Sequence, residues 1–198
     1  MKRLFDILFS ALGLLFLSPI FLIIAILIKR EDRGPILYRG VRIGKFGKTF
    51  KIFKFRTLVA NAEKIGGPST ADDDPRITKV GKLIRKYKLD ELPQLINVLK
   101  GEMSFVGPRP EVPFYVNIFT EEEKKILEVK PGITDWASLW NPDEGAILAG
   151  SSDPEKTYME KIRPEKIRLQ LRYVRERSFW ADLKILLLTM RTILLRKN

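Results

Sequence analysis

The sequence of 198 residues contains no histidine and no cysteine. Disulfide bonds are therefore excluded, together with imidazole and thiol groups as nucleophiles, general bases or zinc ligands. Carboxylates, amines and hydroxyls remain for any chemistry. Carboxylate oxygens favour a hard cation, so we expect Mg²⁺ or Mn²⁺ rather than zinc if the protein uses a metal.

Acidic residues are also few relative to basic ones. The chain has 36 Lys and Arg against 24 Asp and Glu, a formal net charge of +12. This balance points to an anionic partner, which could be nucleic acid, a nucleotide substrate or an anionic membrane surface. The length suits one domain with its own hydrophobic core.

A long uncharged stretch near the N-terminus favours the membrane among these partners. Residues 7–28 carry no charge, and 22 residues are enough for a helix to span a bilayer. A cleaved signal peptide is disfavoured, because its apolar core is usually only about 7–15 residues and no small-residue cleavage site is evident. A core helix of a soluble protein is disfavoured by the missing polar face.

Ser18 and Pro19 lie near the middle of this stretch. Proline removes a backbone donor and clashes with the preceding turn, so a helix bends there. Basic residues flank both ends, and positive charge favours the cytoplasmic side. A re-entrant helix that returns to the same face satisfies both flanks, although composition alone leaves a straight span nearly as plausible. We predict a re-entrant membrane helix-break-helix over residues 1–30 and a single cytoplasmic-face domain over residues 31–198.

The remaining pattern predicts an α+β fold that is mostly helical. A small β-hairpin region precedes a strand over residues 50–56, in which Ile52, Lys54 and Arg56 share one face. An ordinary half-solvated strand explains that alternation equally well. The helices are expected at residues 59–65, 77–88, 92–100, 164–177 and about 179–196. The last of these is apolar, begins near Trp180 and suits an amphipathic helix lying in the membrane interface.

Asp90 and Glu91 form an acidic pair directly after a basic segment. By pattern alone, Asp90 is best explained as the N-cap of the helix that starts at Leu92, since free backbone N–H groups stabilise a carboxylate there. Arg109 lies between two prolines in Gly107–Pro110, a stiff turn that predicts an outward arginine suited to phosphate.

Taken together, these motifs resemble the monotopic phosphoglycosyl transferases, a family of bacterial sugar transferases. The resemblance covers nearly the whole chain and follows the family order of motifs, which are the Ser18-Pro19 break, residues 54–57, residues 89–95, residues 97–104, residues 107–111, residues 131–134 and the C-terminal segment containing Asp182. Lys88 stands where a small hydroxyl residue is common. The chain looks like the minimal catalytic form, without the additional N-terminal region of larger members.

The resemblance implies a reaction and a location. The family transfers a sugar 1-phosphate from a UDP-sugar to polyprenyl phosphate and releases UMP, on the cytoplasmic face of the bacterial inner membrane. Asp90 would be the nucleophile, assisted by Glu91, with Mg²⁺ held by both carboxylates. The residues expected to bind the substrate phosphates are Lys54, Arg56, Arg85 and Arg109.

A carboxylate nucleophile agrees with this composition, because it needs no deprotonation at neutral pH. Two other classes of protein are weighed against the transferase. A membrane-anchored nucleic-acid-binding protein lacks a supporting motif, so no nucleic acid is expected as a partner. In a non-catalytic membrane adaptor, Asp90 and Glu91 would only cap a helix. The transferred sugar and the oligomeric state stay open, with sugar contacts expected in residues 60–75 and 135–155.

Overall fold

The computed structural model describes residues 2–62, 65, 67 and 69–195. Within this part the protein is mostly helical, as predicted. The helices are α1 (Lys2–Asp32), α2 (Lys79–Lys86), α3 (Gln94–Lys100), α4 (Pro113–Val116), α5 (Trp136–Trp140), α6 (Glu144–Leu148), α7 (Pro154–Thr157), α8 (Arg163–Glu176) and α9 (Phe179–Leu195).

Short strands form three two-stranded sheets within the described residues. The strands are β1 (Leu37–Tyr38), β2 (Val41–Ile43), β3 (Thr49–Lys51), β4 (Lys54–Phe55), β5 (Ser104–Val106) and β6 (Gly132–Thr134). Strands β1 and β4 pair antiparallel, as do β2 and β3, whereas β5 and β6 pair parallel. The fold class predicted from the sequence is confirmed at this level.

The strand predicted over residues 50–56 is wrong as one continuous element. Strands β3 and β4 belong to different sheets, and Ile52 and Phe53 separate them. Phe53 donates its backbone N–H to Asn97 Oδ1 at 2.9 Å, which replaces a ladder bond at the break. The helix predicted over residues 59–65 falls partly outside the described residues.

Helix α1 has the length and composition of a membrane helix, the only such helix among the described residues. Only 11% of its most apolar stretch is buried, so it is not a core helix of the domain. The part that does pack on the domain includes Ile24 and Ile28, which lie against Phe55 and Ile84.

The predicted break at Ser18-Pro19 does not interrupt the helix, which runs from residue 2 to residue 32. Pro19 cannot donate to the carbonyl of Leu15, four residues earlier. Ser18 Oγ donates to that carbonyl instead, at 2.8 Å. The Ser-Pro pair thereby satisfies a polar group that would otherwise be unpaired in an apolar environment. The re-entrant course of the helix stays a prediction.

Both ends of α1 are fastened to the same domain. At the N-terminal end, Lys2 Nζ donates to Val106 O and Tyr173 Oη, both at 2.9 Å, and pairs with Asp182 at 2.6 Å. At the C-terminal end, Arg56 Nη1 donates to Asp32 Oδ2 at 2.6 Å. Polar contacts at opposite ends therefore fix the helix across the domain.

Candidate active site

Asp90 and Glu91 lie in a short 3₁₀ turn, Leu89–Glu91, between α2 and α3. Lys88 precedes the turn with a left-handed backbone (φ 55°), which lets the chain change direction. The predicted capping role of Asp90 is wrong, because the N-cap of α3 is Pro93 and has no side-chain cap. The predicted end of the helix is confirmed at Gly101, which has φ 85°.

The Asp90 side chain is buried and incompletely paired. The residue is 9% exposed, and its Oδ1 has no hydrogen-bond partner among the described residues. Burial raises the pKa of the Asp90 carboxyl and the adjacent Glu91 raises it further, while Lys54 opposes both effects. The expectation that an N-cap position stabilises the ionised form of Asp90 is wrong, since Pro93 occupies that position.

Glu91 is held by two cations instead. Lys54 Nζ lies 2.7 Å from Oε1, Arg109 Nη1 lies 3.0 Å from Oε2, and Arg109 Nη2 also donates to Oε1. Burial alone would raise the pKa of Glu91, but Arg109 and Lys54 hold it well below its usual range. Burial lowers the pKa of Lys54, partly offset by Glu91.

The turn at Gly107–Pro110 positions Arg109 through its contacts with the neighbouring strand segment. Gly107 N donates to Thr134 O at 3.0 Å, and Arg109 N donates to Asp135 Oδ2 at 3.3 Å. A Cβ atom on Gly132 would lie 2.1 Å from Gly107 N, so a side chain there would not fit. The turn directs Arg109 onto Glu91, so the prediction of an outward arginine is wrong.

Arg85 and Lys88 are the cations near Asp90 that remain available. Both are half-buried, and neither side chain makes a hydrogen bond or ion pair with a described residue. Their charges oppose the rise in the pKa of Asp90. The predicted phosphate-binding residue Arg85 is thus available near Asp90. Lys88, to which the sequence assigns no role, is available there as well.

Arg56 is placed differently from the prediction. Its guanidinium donates twice to Asp32, and also to Pro35 O at 2.6 Å and Leu58 O at 2.9 Å. These bonds use most of its donors and leave the residue 7% exposed. Arg56 therefore joins the end of α1 to the domain, and its contacts lend no support to the predicted role in phosphate binding.

A cavity of about 1100 Å³ is lined both by the acidic pair with its neighbouring cations and by residues of helix α1. Asp90, Glu91 and Arg85 line its polar part, whereas Phe9 and Leu17 of α1 line an apolar part. The acidic-pair region and the N-terminal helix are distant in sequence, and only the fold brings them to one cavity.

The cavity is also lined by polar side chains to which the sequence motifs assigned no role. Lys166 is buried and pairs with Glu111 at 2.7 Å and Glu144 at 3.0 Å. Burial would lower its pKa, but the two glutamates hold the pKa of Lys166 well above its usual value. Gln94 and Asn141 also line the cavity. Gln94 follows Asp90 by one helical turn, a spacing that could have marked it in the sequence.

The predicted magnesium site, built from Asp90 and Glu91 together, does not fit these contacts. Both oxygens of Glu91 already accept from Lys54 or Arg109. Of these two carboxylates, only Asp90 has a buried oxygen without a partner among the described residues. In the described part of the chain, no group of three or more acidic side chains is placed to hold a metal ion.

A basic domain that carries a long apolar helix and an acidic pair in a cation-lined cavity is suited to phosphorylated substrates. Residues 1–196 match the family model described as bacterial sugar transferase. The chain belongs to this family, which confirms the resemblance found in the sequence.

Individual relatives support the same family. The chain is 39% identical to the UDP-N-acetylgalactosamine-undecaprenyl-phosphate N-acetylgalactosaminephosphotransferase of Aeromonas hydrophila, over 98% of this chain and 43% of that protein. It is 41% identical to the uncharacterized sugar transferase EpsL of Bacillus subtilis, over 100% and 89% of the respective chains. It is 39% identical to the UDP-glucose:undecaprenyl-phosphate glucose-1-phosphate transferase of Escherichia coli, over 96% and 39%. The chain thus spans about two fifths of the length of the first and third relatives.

Proposed function

We propose that this protein transfers a sugar 1-phosphate from a UDP-sugar to polyprenyl phosphate, releasing UMP and forming a polyprenyl diphosphate sugar. The observation that carries the proposal is the buried Asp90 oxygen without a partner, in a cavity lined both by cations and by apolar residues of α1. A water-soluble donor and a lipid acceptor need such a combined site. The Aeromonas and Escherichia relatives carry the names of enzymes for this type of substrate pair.

Asp90 is the proposed nucleophile. One of its carboxylate oxygens bonds to the sugar-linked phosphorus of the donor, and the bond from that phosphorus to the bridging oxygen breaks, so that UMP leaves with the electron pair. A phosphate oxygen of polyprenyl phosphate then bonds to the same phosphorus, and Asp90 leaves as a carboxylate. Neither step needs a proton from the enzyme, which agrees with the lack of histidine.

The surrounding cations have distinct roles in this proposal. Phosphoryl transfer depends on positioning and on neutralising charge on the phosphoryl oxygens. The side chains of Arg85 and Lys88 make no ion pair with a described residue and can contact the diphosphate. Lys54 and Arg109 are instead held in place by their ion pairs with Glu91. A magnesium requirement remains a proposal, and an ion would rely on Asp90 and substrate oxygens rather than on Glu91.

The attachment of α1 supports a monotopic protein, with both ends of the helix on one side of the membrane. A helix of 31 residues is about 45 Å long. Its two ends bind the same domain, through Lys2 at one end and Asp32 at the other. A straight crossing would separate these ends by the bilayer, so a helix that enters and returns to one face agrees better with the contacts.

The direct test is a screen of UDP-sugars with polyprenyl phosphate, in which UMP release is measured. We expect release with at least one donor, and retention of radiolabelled sugar phosphate on the protein when the acceptor is withheld. No UMP release with any UDP-sugar would contradict the transferase function. UMP release without a labelled protein would leave the transferase but contradict the covalent step.

A further inference from the structure

Unpartnered polar atoms gather at the candidate active site. In the described part of the chain, six buried side-chain nitrogen or oxygen atoms lack a hydrogen-bond partner. Three of them belong to cavity-lining residues: Asp90 Oδ1, Gln94 Nε2 and Asn141 Nδ2. A buried donor without a partner destabilises the folded state, so such atoms are rarely kept without a use.

Gln94 is the most deeply buried of the three. The residue is 1% exposed and opens helix α3, four residues after Asp90. The chain between them is continuously helical in character, because Leu92 N donates to Leu89 O and Leu95 N donates to Leu92 O. Both residues line the same cavity, so Gln94 and Asp90 can contact one ligand there.

Asn141 indicates what kind of ligand the cavity suits. Its Oδ1 accepts from Asp143 N at 3.2 Å, so the amide nitrogen is the end left without a partner. The cavity thus presents two neutral amide donors in addition to Asp90. Such donors match a ligand that carries several acceptor oxygens, as phosphoryl groups and sugars do.

We propose that the side-chain amide of Gln94 donates a hydrogen bond to a non-bridging oxygen of the phosphoryl group that Asp90 attacks. The inference rests on the proposed function and adds a substrate-binding residue to it. Lys54 and Arg109 are already engaged with Glu91, so a neutral donor beside Asp90 supplies a bond that these cations do not. Donors aimed at oxygens whose charge grows during transfer accelerate the reaction.

Two substitutions separate this role from a structural one. Gln94→Met keeps the size but removes the donor, and Gln94→Glu places a carboxylate where the phosphoryl oxygen would lie. The readout is the first half-reaction, the single burst of UMP released from UDP-sugar without lipid acceptor. We expect a burst rate about 10–100-fold lower for Gln94→Met, the range for one lost hydrogen bond to a charged group, and a larger loss for Gln94→Glu.

The melting temperature provides the second readout. Replacing an unpartnered buried amide by an apolar group of similar shape is neutral or stabilising, so Gln94→Met should melt at or above the wild-type temperature. Gln170→Met is the contrasting control, because it removes a buried amide that is hydrogen-bonded. Gln170 is 0% exposed and does not line the cavity, and its Nε2 donates to Arg109 O at 3.4 Å, so this variant should melt below the wild-type temperature.

The outcomes distinguish the two proposals. An active wild type whose burst rate is unchanged in Gln94→Met overturns the role of Gln94 and leaves the transferase intact. So does a burst rate in Gln94→Glu that equals or exceeds that of Gln94→Met. A lower melting temperature with an unchanged burst per folded molecule assigns Gln94 a structural role and also overturns the inference. A wild type without UMP release from any UDP-sugar contradicts the proposed function itself.

Discussion

Arg109 holds Glu91 with both terminal nitrogens of its guanidinium, Nη1 at 3.0 Å from Oε2 and Nη2 donating to Oε1. Lys54 binds the same carboxylate at 2.7 Å. Glu91 is thereby the anion that fixes two cations in place, while Asp90 beside it keeps an oxygen without a partner. The two adjacent carboxylates are thus placed in contrasting environments that suit different tasks.

Asp90→Asn should abolish UMP release and leave the fold intact. The variant removes the proposed nucleophile, and the amide also removes a buried charge that the site disfavours. Because the folded-state pKa of Asp90 is raised, ionisation of this group costs stability as pH rises. We therefore expect a melting temperature at or above that of the wild type at pH 7, measured by circular dichroism in detergent or lipid nanodiscs.

Full activity in Asp90→Asn would contradict the covalent mechanism. The stability difference provides an internal check, since it should disappear at low pH, where Asp90 of the wild type is protonated. A variant that melts well below the wild type at pH 7 would show that the Asp90 charge stabilises the fold.

The first half-reaction should slow as pH falls. Only the ionised carboxylate of Asp90 can attack, and burial together with Glu91 raises its pKa above the ordinary value of about 3.9. The burst of UMP, measured by rapid quench between pH 4 and 8, should fall to half its maximum above about pH 4. A rate that holds its maximum down to about pH 4 would mean that the donor-bound site does not raise this pKa.

Glu91→Gln should destabilise the protein at neutral pH. The change leaves Lys54 and Arg109 without their shared anion, which we expect to lower the free energy of unfolding by about 1–3 kcal/mol. The folded-state pKa of Glu91 is depressed, so its stabilisation is present above the unfolded pKa, about 4.3, and is lost as pH falls through the lower folded value. Denaturant titrations at pH 7 and below pH 4 measure this difference. An effect that stays the same at both pH values would argue against the ion pairs as its cause.

Arg85→Ala and Arg56→Ala should affect different properties. Arg85 is free of ion pairs with described residues, so its removal should lower kcat/KM for the UDP-sugar about 10–100-fold with little change in melting temperature. Arg56 is buried in an ion pair with Asp32, so its removal should destabilise the fold by about 3 kcal/mol. Steady-state kinetics and thermal melts of both variants test this separation. The reverse pattern would assign Arg56 to the substrate and Arg85 to the fold.

Single cysteines introduced at Leu4 and Arg30 should both react from the cytoplasmic side. The chain has no native cysteine, so each label reports one position. Both residues are exposed near opposite ends of α1, whose ends bind the same domain. Labelling with a membrane-impermeant maleimide, before and after permeabilisation, measures the side. Reaction of the two cysteines from opposite sides would establish a straight span.

Local chemistry made several elements predictable. Periodicity predicted α2, α8 and α9, and a glycine correctly predicted the end of α3 at Gly101. The same local reasoning failed for the strand over residues 50–56, because Asn97, more than 40 residues away, takes the backbone N–H of Phe53. Capping by Asp90 was predicted from pattern as well, and Pro93 occupies that position.

The sequence predicted most residues of the candidate site, but it did not predict which cation pairs with which carboxylate. Asp90, Glu91 and the neighbouring cations are marked by residue type and order. Which cation meets which carboxylate depends on contacts between distant segments, such as Arg56 with Asp32 and Arg109 with Glu91. Sequence spacing carries no information about these contacts, since they arise from packing of the turn at Gly107–Pro110 and of the end of α1.

The sequence alone identified the family and the long apolar helix and predicted carboxylate chemistry, because composition and short motifs are properties of the chain itself. The tertiary structure decided that Glu91 holds Lys54 and Arg109, that Arg56 fastens α1, and that Asp90 and Gln94 keep unpartnered atoms in one cavity. These outcomes depend on burial, which strengthens electrostatic interactions and makes each unpaired polar group costly. Only a folded chain brings distant residues into such an environment.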